Sequence, residues 1–133
     1  MPNTDSLLLE MLLRSGLAQY PDKKLYNAAV MLKPEERPTA PVTLAPQMEG
    51  ATYNPDTNSI AVGARGAAYR DKNLRRLAAI LAHEGVHSKG TRDEAPAYQM
   101  QLDVLKRLGE TDKDLLKILA ERAAGGPIKI VHR

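Results

Sequence analysis

Apolar residues recur at helical spacing over much of this chain, with two short strand-like runs in its middle. Thr4 or Asp5 can cap a first helix, which runs to about Ser15 and stops at Gly16. Asp22 can cap a second. Its Leu25, Ala28, Ala29 and Leu32 fall on one helical face, and Pro34 ends it. From Lys33 to Gln47 four prolines predict an extended surface connection, with a short strand at Val42 to Leu44. A hairpin follows. Thr52 and Tyr53 lead into the turn Asn54-Pro55-Asp56-Thr57-Asn58, and Ile60 to Val62 return to Gly63. From about Asp71 to Lys89 the pattern is helical and apolar almost all round, which predicts a helix in the middle of the domain, with Gly90 just past its end. Further helices are predicted over Asp93 to Leu108 and Asp112 to Ala124, the last with Thr111 as a cap candidate. Gly125-Gly126-Pro127 breaks the pattern, and Ile128 to Arg133 reads as a strand. Helices around a small sheet give an α+β class, and 133 residues fit a single domain over 1–133.

Composition narrows the chemistry. There is no Phe and no Trp, so the core must be aliphatic, and five tyrosines are the only aromatic side chains. The absence of Cys excludes a disulfide scaffold, a thiolate zinc ribbon and a cysteine nucleophile. The formal charge of +3 is mildly basic. The cluster Arg65, Arg70, Lys72, Arg75 and Arg76 lacks interleaved aromatic or amide residues, so it reads as a solvated face rather than a nucleic-acid surface. Leu7 to Leu13 is interrupted by Glu10, and no basic region precedes it, so no secretory signal is expected. No run approaches the roughly 18 apolar residues of a membrane span. The expectation is a soluble, cytoplasmic protein with no membrane and no nucleic-acid partner.

The chemistry sits on the central helix, where His83-Glu84-Gly85-Val86-His87 spells H-E-x-x-H. Residues four apart share a helical face, so both imidazoles can reach one metal. Glu84 lies about 100° round from His83, within reach of a water at that metal. Two histidines and a glutamate on so apolar a helix are costly to bury unless something compensates them. The set suits a zinc ion, Zn2+, that activates water. A third ligand is needed, and Asp93 and Glu94 are the candidates. Pro96 is tolerated only in a first turn, so the helix starts no earlier than Asp93 as N-cap. Capping would engage Asp93 with backbone N–H groups, which favours Glu94 as the ligand.

Residues Gly50 to Leu108 resemble the small zincin metallopeptidases of the gluzincin type. The likeness rests on Gly50-Ala51-Thr52-Tyr53-Asn54-Pro55 with Asn58-Ser59-Ile60-Ala61-Val62, on Leu81-Ala82-His83-Glu84-Gly85-Val86-His87, and on Glu94-Ala95-Pro96-Ala97-Tyr98-Gln99-Met100-Gln101. It implies a zincin-like fold, zinc bound by His83, His87 and Glu94, Glu84 as general base, and a peptide or protein substrate. Two departures stand out. Thermolysin-like gluzincins carry an acidic residue four after the ligand Glu, which orients a ligand His; here that residue is Tyr98. The interval from His87 to Glu94 is also shorter than theirs. His83-Glu84-x-x-His87-x-x-Gly90-x-x-Asp93 likewise resembles a metzincin motif with Asp93 as third ligand, but Met100, the only later Met, falls in a predicted helix. Tyr98, Tyr69 and His132 are the candidate transition-state donors. The expected function is a zinc-dependent peptidase with substrate extended along Ile60 to Gly63. The alternative is a catalytically inactive zinc-binding or interaction module. Because some very small gluzincins are self-inhibited by a C-terminal segment, the tail can be expected either to cover the metal or to form a structural strand.

Overall fold

In the computed structural model, which describes residues 20–125, the Asp22 side chain accepts the Leu25 N–H at 2.9 Å and starts helix α1, Lys23–Val30. The helix buries Leu25, Ala28 and Ala29 and ends at Met31 as its C-cap. Pro34 does not merely end a helix: it opens a short 3₁₀ turn, Pro34–Glu36, where its missing N–H loses nothing. The predicted first helix and the tail strand, Thr4 to Ser15 and Ile128 to Arg133, lie outside the described residues.

Three strands follow: β1, Val42–Ala45; β2, Ala51–Asn54; and β3, Ser59–Gly63. The β2–β3 hairpin forms as its turn residues predict. Asn54 Oδ1 accepts the Asp56 N–H at 2.9 Å, and Asn58 takes a positive φ of 48°. β2 is antiparallel to β3, and β1 runs parallel to β3, with Val42 opposite Ile60. The sheet order is β1-β3-β2. This corrects the expectation that substrate would lie along Ile60 to Gly63. β3 is the central strand and both its edges are engaged, leaving β2 and β1 as the edge strands.

One short helix, α2, Ala67–Arg70, was not foreseen. The long apolar helix therefore starts later than Asp71: α3 spans Leu74–Ser88, with Asn73 Oδ1 accepting the Arg76 N–H at 3.2 Å. α4 spans Glu94–Arg107. α5 spans Lys113–Ala123 and is capped by Asp112 rather than Thr111. As its sequence predicts, α3 lies in the middle. It packs against α1, α2, α4, β2 and β3, and every residue from Leu77 to Gly85 except Ile80 is buried. The core is aliphatic. Leu25, Ile60, Leu77, Leu81, Val104 and Leu105 are its largest fully enclosed side chains, each worth about 1.5–3 kcal/mol of transfer free energy. The arrangement is α+β, and no helix among the described residues is long and apolar enough to cross a membrane.

Candidate metal centre

The site is built by one helix end and the next helix start. α3 stops at Ser88, Lys89 caps it, and Gly90 adopts a φ of +105°, a left-handed conformation that a side chain would resist. The chain then reverses so sharply that α4 begins at Glu94, its first residue, with Pro96 third. This turn brings Glu94 back over the face of α3 that carries the two histidines.

His83 Nε2 lies 3.1 Å from Glu94 Oε1, and His87 Nε2 lies 3.2 Å from the same oxygen. Together the three groups offer one ligand atom each within 4.8 Å of one another. Glu84 is buried beside them, with its Oε2 3.8 Å from His83 Nε2. Asp93 is not part of the cluster. It holds the extended backbone of an N-cap, φ −70° and ψ 140°, yet its exposed side chain accepts no capping bond. Glu94 therefore joins the histidines for a different reason from the one the capping argument supplied. Both side chains are exposed, and the first turn of α4 sets Glu94, not Asp93, over the two histidines.

The hydrogen bonds behind the cluster settle what its front can do. His87 Nδ1 is 2.7 Å from the Thr91 carbonyl, which can only accept, so the hydrogen sits on Nδ1 and a neutral ring turns its Nε2 lone pair toward Glu94. His83 Nδ1 is 2.8 Å from Gln101 Oε1, which sets that ring the same way. Two imidazole lone pairs and a carboxylate oxygen thus converge with no donor between them unless a ring is protonated. A cation at their centre resolves the conflict. Ligands roughly 2.0–2.1 Å from zinc at tetrahedral angles stand about 3.3 Å apart, close to the 3.1 and 3.2 Å that separate Glu94 from the two rings. Burial holds His83 below the ordinary imidazole value despite the bonds to Gln101 and Glu94. For His87 burial also pulls downward, but the Thr91 carbonyl and the Glu94 carboxylate outweigh it and hold the ring above that value. Burial pushes the Glu84 carboxyl up to about 7, His87 opposing and Glu94 adding to the rise.

The cluster forms the floor of an open cleft of about 750 Å³. One wall is β2 with Thr52 and Tyr53. The other is apolar, from Ile80 of α3 and Leu115, Ile118 and Leu119 of α5. Of the three candidate donors, Tyr98 lines the cleft: its ring meets His83 edge-on at 4.7 Å and its hydroxyl accepts from Arg122 at 3.3 Å. Tyr69 is engaged elsewhere, donating to Asp22 beneath the Lys24 ammonium, and His132 lies outside the described residues. Met100 sits within α4, as predicted. In the basic cluster, Arg76 grips Glu110 at 2.8 and 3.0 Å and Arg70 pairs with Asp71 at 3.3 Å. Gln101 is the site residue that sequence reasoning missed. Its signal was its place seven after Glu94, on the same stripe of α4 as Tyr98. No protein-family profile, no curated protein and no solved structure matches this chain.

Proposed function

We propose that this protein is a zinc-dependent peptidase with a zincin-like fold. The observation that carries the reading is the convergence of His83 Nε2, His87 Nε2 and Glu94 Oε1 at the floor of an open cleft, with a buried carboxyl, Glu84, alongside. The donor set fits zinc: two neutral imidazoles and one carboxylate leave a tetrahedral position open. A zinc ion held there supplies Lewis acidity, which acidifies water and polarises a scissile carbonyl.

The chain's own groups do the rest. Glu84, its carboxyl raised to about 7 by burial, can accept a proton from the attacking water and return it to the leaving amine nitrogen at neutral pH. β2 is an edge strand along the cleft, so an extended peptide can add to it through main-chain hydrogen bonds, with side chains alternating toward and away from the floor. The apolar wall of Ile80, Leu115 and Ile118 receives an aliphatic or aromatic side chain of that peptide. Tyr98 accepts from Arg122 and keeps its own hydrogen for a substrate carbonyl.

The test is Glu84→Gln. The amide keeps the shape of the side chain but cannot take the proton. Zinc content measured by atomic emission should stay at one per chain, while peptide hydrolysis falls by roughly 10²–10⁴-fold. Hydrolysis within a few-fold of wild type would exclude Glu84 as base. A protein that binds zinc and hydrolyses no peptide would instead be the metal-holding module without turnover.

A further inference from the structure

The two histidines of the cluster are held from behind in different ways. His87 donates to a backbone carbonyl that cannot turn over, so its tautomer is fixed by the fold itself. His83 faces a side-chain amide, whose two ends have opposite hydrogen-bonding character. With Oε1 toward His83, the ring carries its hydrogen on Nδ1 and its Nε2 lone pair points at Glu94 Oε1. With the amide reversed, Nδ1 must supply the lone pair. The hydrogen then moves to Nε2, and the ring donates to Glu94 instead of offering an electron pair.

We propose that Gln101 is the positioning residue of the metal centre, setting His83 as a ligand through its Nδ1–H. This role rests on the zinc reading above. Three contacts give it force. The Nδ1–Oε1 distance of 2.8 Å is that of a well-formed bond. The Tyr98 ring, edge-on at 4.7 Å and 82°, and the His87 ring at 5.2 Å restrict how the imidazole can turn. His83 is buried, so water is a poor substitute for the lost acceptor. Gln101 supplies the acceptor that Tyr98 does not, since the Tyr98 ring packs across His83 and its hydroxyl is turned to Arg122. Gln101 is neutral, so it orients the ring without adding negative charge behind it, and the carboxylate charge of the centre stays on Glu94.

Two variants of the full-length protein test this. Gln101→Leu keeps a similar volume but has no acceptor; Gln101→Glu keeps an acceptor that cannot be turned over. Zinc affinity is read by competition with a chromophoric chelator, and the hydrogen-bonded imidazole N–H of zinc-loaded protein by proton NMR. Gln101→Leu should weaken zinc by roughly 10–100-fold and lose one of the two hydrogen-bonded N–H resonances. Gln101→Glu should restore wild-type affinity or better, with both resonances present. If Gln101→Leu binds zinc as wild type does, or if both variants lose it equally, Gln101 does not position His83. If wild-type protein binds no zinc at all, the metal-centre reading itself fails, and this role with it.

Discussion

Two imidazole nitrogens and a carboxylate oxygen meeting at one point is the central fact at the residue scale. Each is placed by a neighbour of its own: His87 by the Thr91 carbonyl, His83 by Gln101 and Glu94 by the first turn of α4. Removing one ligand should therefore leave the other two in place but unable to close the site. His83→Ala or His87→Ala should abolish stoichiometric zinc binding, measured by calorimetry. Glu94→Ala should weaken it far more than Asp93→Ala, because Asp93 stands outside the cluster. The reverse order would assign the third ligand to Asp93. The two histidines were legible from the sequence because i, i+4 spacing on a helix fixes a shared face whatever the tertiary setting. Glu94 was legible through Pro96, which fixes where α4 can begin. Gln101 was not: its place two turns beyond Glu94 marks the stripe of α4, but not its role until the imidazole it meets is in view.

At the scale of elements, the cleft depends on how the chain enters β2. A Cβ built on Gly63 would lie 2.2 Å from the Met48 carbonyl oxygen and 2.7 Å from that of Gly50, so the loop before β2 rests directly on the end of β3. Gly63→Ala should force that loop and the start of β2 outward. The expected loss is roughly 1–3 kcal/mol, as for other overpacking changes, together with weaker peptide binding. Gly50→Ala is the matched control, since nothing lies within 4 Å of the added methyl. Urea melts of the two variants check this, and equal stability would mean that the loop yields freely. The hairpin and α1 were readable because each depends on local residues: Asn54 and Asn58 for the turn, Asp22 for the cap. The longer helices were readable from their apolar period, while their caps, Asn73 and Asp112, were not. The rank of the strands was not. β1 joins β3 in parallel through a long connection, and nothing local to Ile60–Val62 says that this strand has a neighbour on both sides.

At the scale of the whole molecule, two carboxylates give stability opposite dependences on pH. Glu110, in the connection between α4 and α5, accepts two bonds from Arg76 of α3 and the N–H groups of Thr111 and Asp112, so it ties the central helix to the joint of the other two. The Arg76 bond leads in holding its carboxyl down to about 2. An unfolded glutamate titrates near 4.3. A folded value below the unfolded one means stability that is present above about 4.3 and lost as pH falls toward 2. Glu84 is the converse. Its folded value of about 7 exceeds the unfolded one, so protonation favours the fold. In metal-free protein, stability is then lost as pH rises from about 4.3 through 7, by up to about 4 kcal/mol from this group. Melting temperatures measured in chelator across pH 2 to 8 separate the two. Glu110→Gln should melt lower than wild type at pH 5 and above, and lose less on acidification below about 4. Glu84→Gln, which has no charge to desolvate, should flatten the decline between pH 5 and 7 and leave the acid limb unchanged. An unchanged slope in the Glu84 variant would mean that this carboxyl is ionised in the fold without cost, and its raised value would then be no part of how the site moves protons.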